Sequence, residues 1–487
     1  MSGARSGRRW LFRLLAVGVG LSPFLLVEAA LRIAGWQPPP GPAPRYVELA
    51  GTRPLFERNA AGDRWEIPAT RQPFFKPDSF SATKGATEFR VFCFGGSTVQ
   101  GNPYSIETSF TTWLELSLRA AEPSCEWQVV NCGGISYASY RLAPIVRECL
   151  AYEPDLFILC MGHNEFLEDR SYGHLKQIPP WVAGLAALFD RSRLVQAARY
   201  AGRQAESREA ASPTRLAAEV DALLDYRGGL EWYHRDDVWR RQVVDHFRAS
   251  LTDMITASRA AGVPVLLVDP VENLRDCPPF KSQADDQLTA VQQQQFRGLL
   301  QPDASGGEDR TRDLEAAVAI DRRHANAWYL LGRAYLAEGN DSAARHALMT
   351  AKDEDVCPLR AIEAIHAVIA EVGQSTNTPV IDVRSEFARR SPHGIPGDEL
   401  LLDHVHPSIT GHQLIADLLL DYLLAQQFVE ADPGWRSRQQ QRYQEHLSTL
   451  EAPYFARGRE HLDGLRKWTS GRVQKLRSPA TLPLKSP

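Results

Sequence analysis

The sequence has little that points to metal-stabilised, disulfide-rich or nucleic-acid-binding proteins. Its seven cysteines are an odd number, with no C-x-x-C pair and no metal-ligand spacing, so neither a zinc site nor a dense disulfide framework is indicated. The formal net charge is -4, which provides no bulk basic field to hold nucleic acid by counterion release. We therefore predict a protein without metal, cofactor or nucleic-acid partner. Hydrophobic residues at 44% and charged residues at 23% are ordinary globular usage.

The first 36 residues carry the signals of a membrane segment. Four arginines up to position 13 precede an apolar stretch over 14–27, and the proline-rich QPPPGPAP follows at 37–44. This order is expected for a helix that enters the membrane with its N-terminus in the cytoplasm. A cleaved signal peptide is the alternative, but no convincing small-residue cleavage site lies near Gly35. We predict an uncleaved single-pass anchor over 1–36, with the rest outside the cytoplasm, periplasmic in a Gram-negative bacterium.

Five short apolar runs predict the strands of one sheet. They cover 89–95, 127–133, 155–162, 263–270 and 379–383, and helical patterns separate them. Continuous rather than alternating apolar runs mark strands that are buried on both faces. Strands that alternate with helices are joined by right-handed crossovers, which gives a doubly wound parallel sheet. The predicted fold class is therefore α/β.

Two helical insertions interrupt this plan. The first, 172–232, is charged and has little strand character, which favours a cap or hairpin beside the sheet. The second, 281–355, contains two amphipathic helical patterns around Gly339 and Asn340. This second pair resembles a tetratricopeptide repeat, with signature residues at Trp328, Leu331, Gly332, Tyr335, Ala344, Leu348 and Ala351. The pair could serve a protein partner, or it could be a generic packing hairpin.

The remaining boundaries follow from composition. Residues 37–85 are predicted to be a linker and poorly structured approach, and 86–427 to be the α/β domain with both insertions. The stretch 428–487 is helical in pattern and rich in Arg, Gln and Glu, so we expect a solvated helical tail. Cys277 and Cys357 stand at the two ends of the second insertion, where one disulfide could close its base.

A serine at the end of the first predicted strand is the candidate nucleophile. The segment FGGST places Ser97 two residues after Gly95, where the carboxyl ends of parallel strands collect reactive groups. Its hydroxyl needs a base within hydrogen-bond reach to attack an ester. Serine after glycines is by itself more often a turn or helix N-cap, so this motif alone is weak.

The candidate base lies more than 300 residues away, in LLDHVHPSITGH. Asp403 and His406 stand three apart just before a proline and an amphipathic helix. A carboxylate on the same short loop can accept the imidazole N–H and stabilise the imidazolium that forms. The alternatives are a simple helix cap or a metal site that uses the nearby His404 and His412.

Oxyanion donors are predicted at the ends of the second and third strands. Asn164, in MGHNEF, can donate its side-chain amide to an oxygen that becomes negative. The loop NCGGISYASY can offer backbone N–H groups, and Ser97 can offer its own. Asparagine is also a common turn residue, so the set is specific only when its members are taken together.

Together these residues resemble the four blocks of the SGNH/GDSL hydrolase superfamily. The resemblance matches Ser97, Asn164, Asp403 and His406 to the family's nucleophile, amide donor and D-x-x-H pair. It implies a flavodoxin-like three-layer fold, no cofactor, and a backbone donor in block two that is either Ser136 or Gly134.

Two other motif positions differ from the usual pattern. Gly96 replaces the usual acid before the serine, and G-H-N-E replaces G-x-N-D, with Glu165 expected to orient its loop rather than to react. The anchor and repeat-like insertion resemble a membrane-anchored bacterial subgroup. By that resemblance Lys281, Asp355 and Arg360 could line the substrate cleft, but structural salt bridges are the favoured explanation for each of them.

The sequence thus predicts a serine esterase acting on an ester, such as an O-acetyl group of an envelope or exported polysaccharide. An O-acyltransferase with the same triad is the first alternative, because hydrolysis and transfer differ only in water exclusion and acceptor binding. A non-catalytic repeat-containing scaffold is the second. The expected partners are an acylated substrate, the lipid bilayer and a protein at the repeat-like helices.

Overall fold

The structure is a computed structural model that describes residues 22–23, 26–33, 46–170, 214–226, 228–301 and 308–471. The chain divides into two units, one of residues 1–48 and 170–216 and one of residues 49–169 and 217–487. Residues 26–33 are helical, and β1 (Val47–Leu49) pairs with β8 (Thr214–Leu216). Most of the predicted anchor lies outside the described residues. Among those described, no helix is long and apolar enough to cross a membrane.

The second unit is built on a five-stranded parallel sheet. Its strands are β5 (Glu88–Gly95), β6 (Glu126–Gly133), β7 (Leu156–Cys160), β9 (Val265–Asp269) and β10 (Val380–Asp382). The spatial order is β10-β9-β7-β5-β6, and every adjacent pair is parallel. Counted from β5 this is 2-1-3-4-5, the doubly wound order of flavodoxin-like sheets. The predicted doubly wound α/β sheet is confirmed.

Thirteen helices are described with their bounds. They are α1 (Ser97–Gln100), α2 (Phe110–Ala121), α3 (Ser139–Cys149), α4 (Asp237–Ala260), α5 (Ala290–Leu300), α6 (Glu308–Ile320), α7 (Ala325–Ala337), α8 (Asp341–Asp353), α9 (Glu363–Thr376), α10 (Val383–Arg390), α11 (Ile409–Ala425), α12 (Trp435–Thr449) and α13 (Ala452–Thr469).

Alternating residues of β5 fill two separate cores. Val91 and Cys93 face a cluster that includes Trp113 of α2. Phe92 and Phe94 point the other way, and both rings contact Phe157 edge-on, at 6.0 and 4.9 Å between centroids. Because side chains alternate along a strand, burial on both faces requires a continuous apolar run. This is why the sequence pattern identified the strands.

The region predicted as a linker is partly folded. An antiparallel sheet of β2 (Glu57–Arg58), β3 (Arg64–Glu66) and β4 (Ser79–Ser81) lies within 37–85. Phe56 and Phe80 are buried there, with their ring centroids 5.1 Å apart. The low apolar content of these very short strands left no periodic signal for a strand prediction.

The two insertions differ in structure. In the first, residues 171–213 and 227 lie outside the described part, and residues 214–226 and 228–232 contain β8 and two short 3₁₀ turns rather than the expected helices. In the second, α5 to α8 form, and α7 and α8 flank Gly339, which has φ +76°. Gly332 packs so closely on Leu348 that a Cβ there would overlap its side chain. That this segment is related to a tetratricopeptide repeat stays a prediction.

The C-terminal stretch is not simply a solvated tail. In α12, the Tyr443 ring packs on Trp113 of α2 at 4.6 Å, and Gln439 donates to the Ser117 hydroxyl at 2.8 Å. The helix covers α2 with hydrogen-bonding side chains, and Trp435, Tyr443 and Leu447 add hydrophobic contacts to the core. The prediction of a solvated tail relied on charge and low hydropathy, which do not reveal contacts of this kind.

Candidate active site

The sheet brings the ends of β5, β6 and β7 together. In the order 2-1-3-4-5, β5 is the strand at which the chain reverses direction across the sheet, so a crevice opens at its carboxyl end. Ser97 begins α1 there, two residues after Gly95. A Cβ at Gly95 would overlap the carbonyl oxygen of Cys160, so glycine lets the nucleophile loop pass close to β7.

The structure brings the predicted triad side chains into one hydrogen-bonded chain. His406 Nε2 lies 2.7 Å from Ser97 Oγ, and His406 Nδ1 lies 2.7 Å from Asp403 Oδ2. Asp403 Oδ1 accepts the backbone N–H groups of Val405 and His406 at 3.0 and 2.9 Å. The carboxylate therefore orients the imidazole with one oxygen and its own loop with the other. This is the arrangement needed to move the serine proton to Nε2.

The carboxylate of this chain is held ionised. Burial would raise the pKa of Asp403, but the charges of His406 and His404 and the hydrogen bonds from the His406 ring and the Val405 N–H outweigh it. The pKa of Asp403 therefore lies well below its usual range. An ionised Asp403 can stabilise an imidazolium at His406 throughout the neutral pH range.

Local hydrogen bonds shape the acid–base loop. The Leu402 N–H donates to the His406 carbonyl at 2.8 Å, and Leu401 and Pro407 form an antiparallel bridge. Ser408 then caps α11 by accepting the Gly411 N–H at 3.1 Å. The proline and the cap end the loop, so Asp403 and His406 are fixed on a short closed turn.

The predicted amide donor lies beside the nucleophile. Asn164 Nδ2 donates to the Tyr137 carbonyl at 3.0 Å, and a Cβ on Gly96 would overlap that same Nδ2 atom. The absence of a side chain at Gly96 therefore makes room for the amide next to Ser97.

The two candidates for the second-block donor differ in what their N–H groups do. Gly134 donates its N–H to the Gly95 carbonyl at 3.0 Å, so that group is already used by the sheet. Ser136 has φ +61°, a left-handed conformation that is uncommon for serine. Within the described chain, the N–H groups of Ser136 and Ser97 have no acceptor. The geometry favours Ser136 over Gly134.

Sequence reasoning missed most of the residues that hold the donor loop. The Tyr137 hydroxyl donates to Glu219 Oε2 at 2.7 Å, and Arg71 Nη1 lies 2.6 Å from the other oxygen of that carboxylate. Glu165 accepts the N–H and hydroxyl of Ser139 at 2.8 and 3.0 Å, which agrees with its expected orienting role. Arg71 and Glu219 are 148 residues apart, and no motif joins them, so no sequence signal could have paired them.

Lys281, Asp355 and Arg360 are engaged with the backbone at the base of the second insertion. Lys281 Nζ donates to the carbonyls of Leu230 and Tyr233 at 2.6 and 2.7 Å. Asp355 accepts the backbone N–H groups of residues 280, 281 and 357, and Arg360 Nη1 donates to the carbonyls of residues 273 and 277 at 2.8 Å. These contacts support the structural alternative, and a substrate-cleft role stays a prediction.

The other histidines near the site are neutral at physiological pH. Burial lowers the pKa of His404 to about 4, against the opposing charge of Asp403, and burial lowers the pKa of His412 to about 3. His412 Nδ1 accepts the Phe110 N–H at 3.2 Å, which anchors α2 to α11. The ligand atoms of Asp403, His404 and His406 lie within 4.8 Å of one another, but hydrogen bonding to Ser97 and the loop already explains two of the three residues.

Cys277 and Cys357 are buried, unbonded thiols. The disulfide considered for the base of the insertion is therefore not formed in this structure. Asp355 and Lys281 hold the base instead, through the backbone hydrogen bonds described above.

Comparisons with known proteins give only distant similarities. No family model matches the chain, and no curated protein matches it. A lipase/acylhydrolase from Enterococcus faecalis is 15% identical, with 69% of this chain and 96% of that chain covered and a TM-score of 0.31. The acetylxylan esterase Axe2 from Geobacillus stearothermophilus is 13% identical, with 70% and 95% covered and a TM-score of 0.30.

A protein described as lipolytic and of the G-D-S-L family, from Desulfitobacterium hafniense, is 11% identical, with 68% and 97% covered and a TM-score of 0.30. All three carry names from the class of acylhydrolases and esterases that the sequence motifs resemble. Similarities of this size carry no argument for the activity of this chain. The candidate site depends on the geometry of Ser97, His406 and Asp403.

Proposed function

We propose that this protein is a serine esterase in which Ser97 acts as nucleophile, His406 as general base and Asp403 as the carboxylate that orients His406. The single observation that carries the proposal is the continuous hydrogen-bonded chain from Ser97 Oγ through both ring nitrogens of His406 to Asp403, with both distances at 2.7 Å. Ser97 is more than 300 residues from the Asp403 and His406 pair, and no structural requirement of the sheet demands that they meet.

The reaction would proceed in two acyl-transfer steps. Ser97 Oγ bonds to the ester carbonyl carbon while its proton passes to His406 Nε2, and Asp403 stabilises the imidazolium. Asn164 Nδ2 and the N–H groups of Ser97 and Ser136 donate to the oxygen that becomes negative. The imidazolium then protonates the departing alcohol. Water repeats the sequence on the acyl-serine and releases the acid.

The proposed substrate is an acyl ester of a carbohydrate, such as an O-acetyl group of an envelope or exported polysaccharide. This follows from the proposed anchor over 1–36, which would place the site outside the cytoplasm where such polymers are modified. Extraction of membranes with alkaline carbonate tests the anchor: the full chain should stay in the pellet, and release into the supernatant would contradict it.

Labelling with a fluorophosphonate probe, together with hydrolysis of para-nitrophenyl acetate, tests the esterase proposal. The wild-type protein should be labelled and active, and Ser97→Ala should lose both. Ser448→Ala removes an exposed hydroxyl on α12 and should keep both. Well-folded wild-type protein that is neither labelled nor active would instead favour the non-catalytic scaffold.

The same triad could transfer the acyl group to a sugar hydroxyl instead of water. Incubation of an acetyl ester with and without an oligosaccharide acceptor separates the two reactions. Acetylated oligosaccharide that forms only in the presence of Ser97 would establish transfer. Release of free acetate at the same rate in both arms would establish hydrolysis.

A further inference from the structure

The donor loop, residues 134–137, connects two of the proposed oxyanion donors. Ser136 has φ +61°, and a serine in the left-handed region is strained unless the surrounding structure holds it there. The next residue, Tyr137, accepts the Asn164 amide with its carbonyl at 3.0 Å. The directions of the Ser136 N–H and of the Asn164 amide therefore both depend on how Tyr137 is held.

The side chain of Tyr137 is fixed by a carboxylate from the first insertion. Tyr137 is only 3% exposed, and its hydroxyl donates to Glu219 Oε2 at 2.7 Å. Glu219 Oε1 accepts from Arg71 Nη1 at 2.6 Å, and the guanidinium carbon of Arg71 lies 6.0 Å from the centroid of the Tyr137 ring. Both oxygens of one carboxylate are thus engaged, and Tyr137 is held at its ring, its hydroxyl and its carbonyl.

A buried ion pair holds the segment that carries Glu219. Arg141 and Glu168 are 2% and 3% exposed, and Arg141 Nη2 lies 2.7 Å from Glu168 Oε1. Arg141 Nη1 also donates to the carbonyls of the two residues before Glu219, both at 3.2 Å. On the other side of Glu219, the Asp221 N–H donates to Glu168 Oε1 at 3.0 Å. The backbone is therefore fixed on both sides of Glu219, which aims its carboxylate at Tyr137.

Removal of this carboxylate would disturb the donor loop directly. The Tyr137 hydroxyl and the Arg71 guanidinium would lose hydrogen bonds at buried positions, where an unpaired polar group is costly. Both side chains would have to move to find new partners. A shift of Tyr137 would carry its chain neighbour Ser136 and the Asn164 amide that is bonded to its carbonyl.

We propose that Glu219 is a positioning residue for the oxyanion hole, so that the first insertion completes the catalytic site. Glu219 acts through Tyr137 and sets the directions of the Ser136 N–H and the Asn164 amide. These donors stabilise the ester oxygen most strongly when it becomes negative, which happens in both acyl-transfer steps. This inference rests on the proposed esterase function and assigns part of the site to a residue outside its four motifs.

Kinetics of three glutamate variants test the proposal. Glu219→Ala should lower kcat for para-nitrophenyl acetate about tenfold and keep KM within about twofold, because both steps slow together. The Ki for methylboronic acid, which adds to Ser97 Oγ and mimics the tetrahedral intermediate, should rise by a similar factor. Glu219→Gln should recover most of the lost kcat, since its amide can accept from Arg71 and donate to the Tyr137 hydroxyl. Glu231→Ala removes an exposed carboxylate from the same insertion and should keep all wild-type values.

A double-mutant cycle assigns the effect to one hydrogen bond. Tyr137→Phe should also lower kcat, and the variant that combines it with Glu219→Ala should lose little more than Glu219→Ala alone. Fully additive losses, or a wild-type kcat in Glu219→Ala, would overturn the inference and leave the esterase function standing. Well-folded wild-type protein without esterase activity would count against the proposed function itself.

Discussion

At the scale of single residues, the two oxygens of Asp403 have different tasks. Oδ1 accepts two backbone N–H groups of its own loop, and Oδ2 accepts the His406 ring N–H. The hydrogen bonds from the loop backbone to Oδ1 fix the orientation of the carboxylate. A substitution that preserves the loop can therefore be used to test the role of the second oxygen alone.

Asp403→Asn should abolish most of the activity without unfolding the loop. The amide oxygen would stay with the two backbone N–H groups, so the NH₂ group would face His406 Nδ1. That nitrogen would have to accept, which would place the proton on Nε2 and leave no base for Ser97. We expect kcat to fall by about 10³- to 10⁴-fold, measured with para-nitrophenyl acetate. A loss below tenfold in a variant with wild-type thermal stability would contradict the orienting role.

Gly96→Ala tests the steric link between Gly96 and Asn164. The new methyl group would displace Asn164 Nδ2 from its place beside Ser97, and loss of one oxyanion donor lowers kcat by about 10²- to 10³-fold. If the methyl group acts through the amide, adding Gly96→Ala to Asn164→Ala should cost little more than Asn164→Ala alone. Fully additive losses in this double-mutant cycle would refute the link.

At the scale of elements, a buried ionic network joins the second insertion to the sheet domain. Lys352 at the end of α8 lies 2.7 Å from Glu272 and 2.6 Å from Glu363 of α9. His366, one turn further along α9, lies 2.5 Å from Asp269 at the end of β9. Because one broken buried ion pair leaves an uncompensated charge, this network should respond strongly to pH.

His366 should make the stability of the protein fall in alkaline solution. Burial lowers the pKa of His366, but the charge of Glu272 and the hydrogen bonds of Asp269 and Glu272 raise it to about 9, above its ordinary value of 6.5. A raised folded-state pKa stabilises the protein fully below pH 6.5, and the contribution is lost as pH rises through about 9. We expect the wild-type free energy of unfolding to drop by about 3 kcal/mol more than that of His366→Gln over this range.

Urea unfolding at several pH values between 6 and 9.5 measures this difference. His346→Gln removes an exposed imidazole from α8 and should reproduce the wild-type pH profile. If His366→Gln and the wild-type protein lose stability in parallel, His366 is not charged in the folded protein, and the network is held by Lys352 alone.

At the scale of the whole molecule, the predictable parts are those with local signals. Continuous apolar runs identify the strands, and short motifs that each follow a strand identify the triad. Glu219 has no such signal, because its partners Arg71 and Tyr137 lie far away in the sequence and single charged residues are mostly surface residues. The helical pattern of α12 and α13 was predicted, but their packing was not, because much of it consists of hydrogen bonds and aromatic edges.

The final prediction concerns how the C-terminus of the chain supports a site built mainly by earlier segments. A Cβ at Gly458 would overlap the Tyr104 ring, so Gly458→Ala should move α13 away from residues 103–108. The hydrogen bonds from His461 to Pro103 and from Arg466 to Leu402 would then lengthen. Small displacements of reacting groups are costly, and we expect kcat for para-nitrophenyl acetate to fall at least about tenfold.

Gly464 provides the matched control within the same helix. A Cβ there meets nothing within 4 Å, so Gly464→Ala should keep the wild-type kcat and raise the thermal stability slightly, because alanine is favoured over glycine by about 1 kcal/mol in a helix. Equal kcat values for the two variants would show that α13 merely covers the domain. A loss confined to Gly458→Ala, with cooperative unfolding retained, would instead show that a helix more than 350 residues from Ser97 helps to hold the catalytic loops in register.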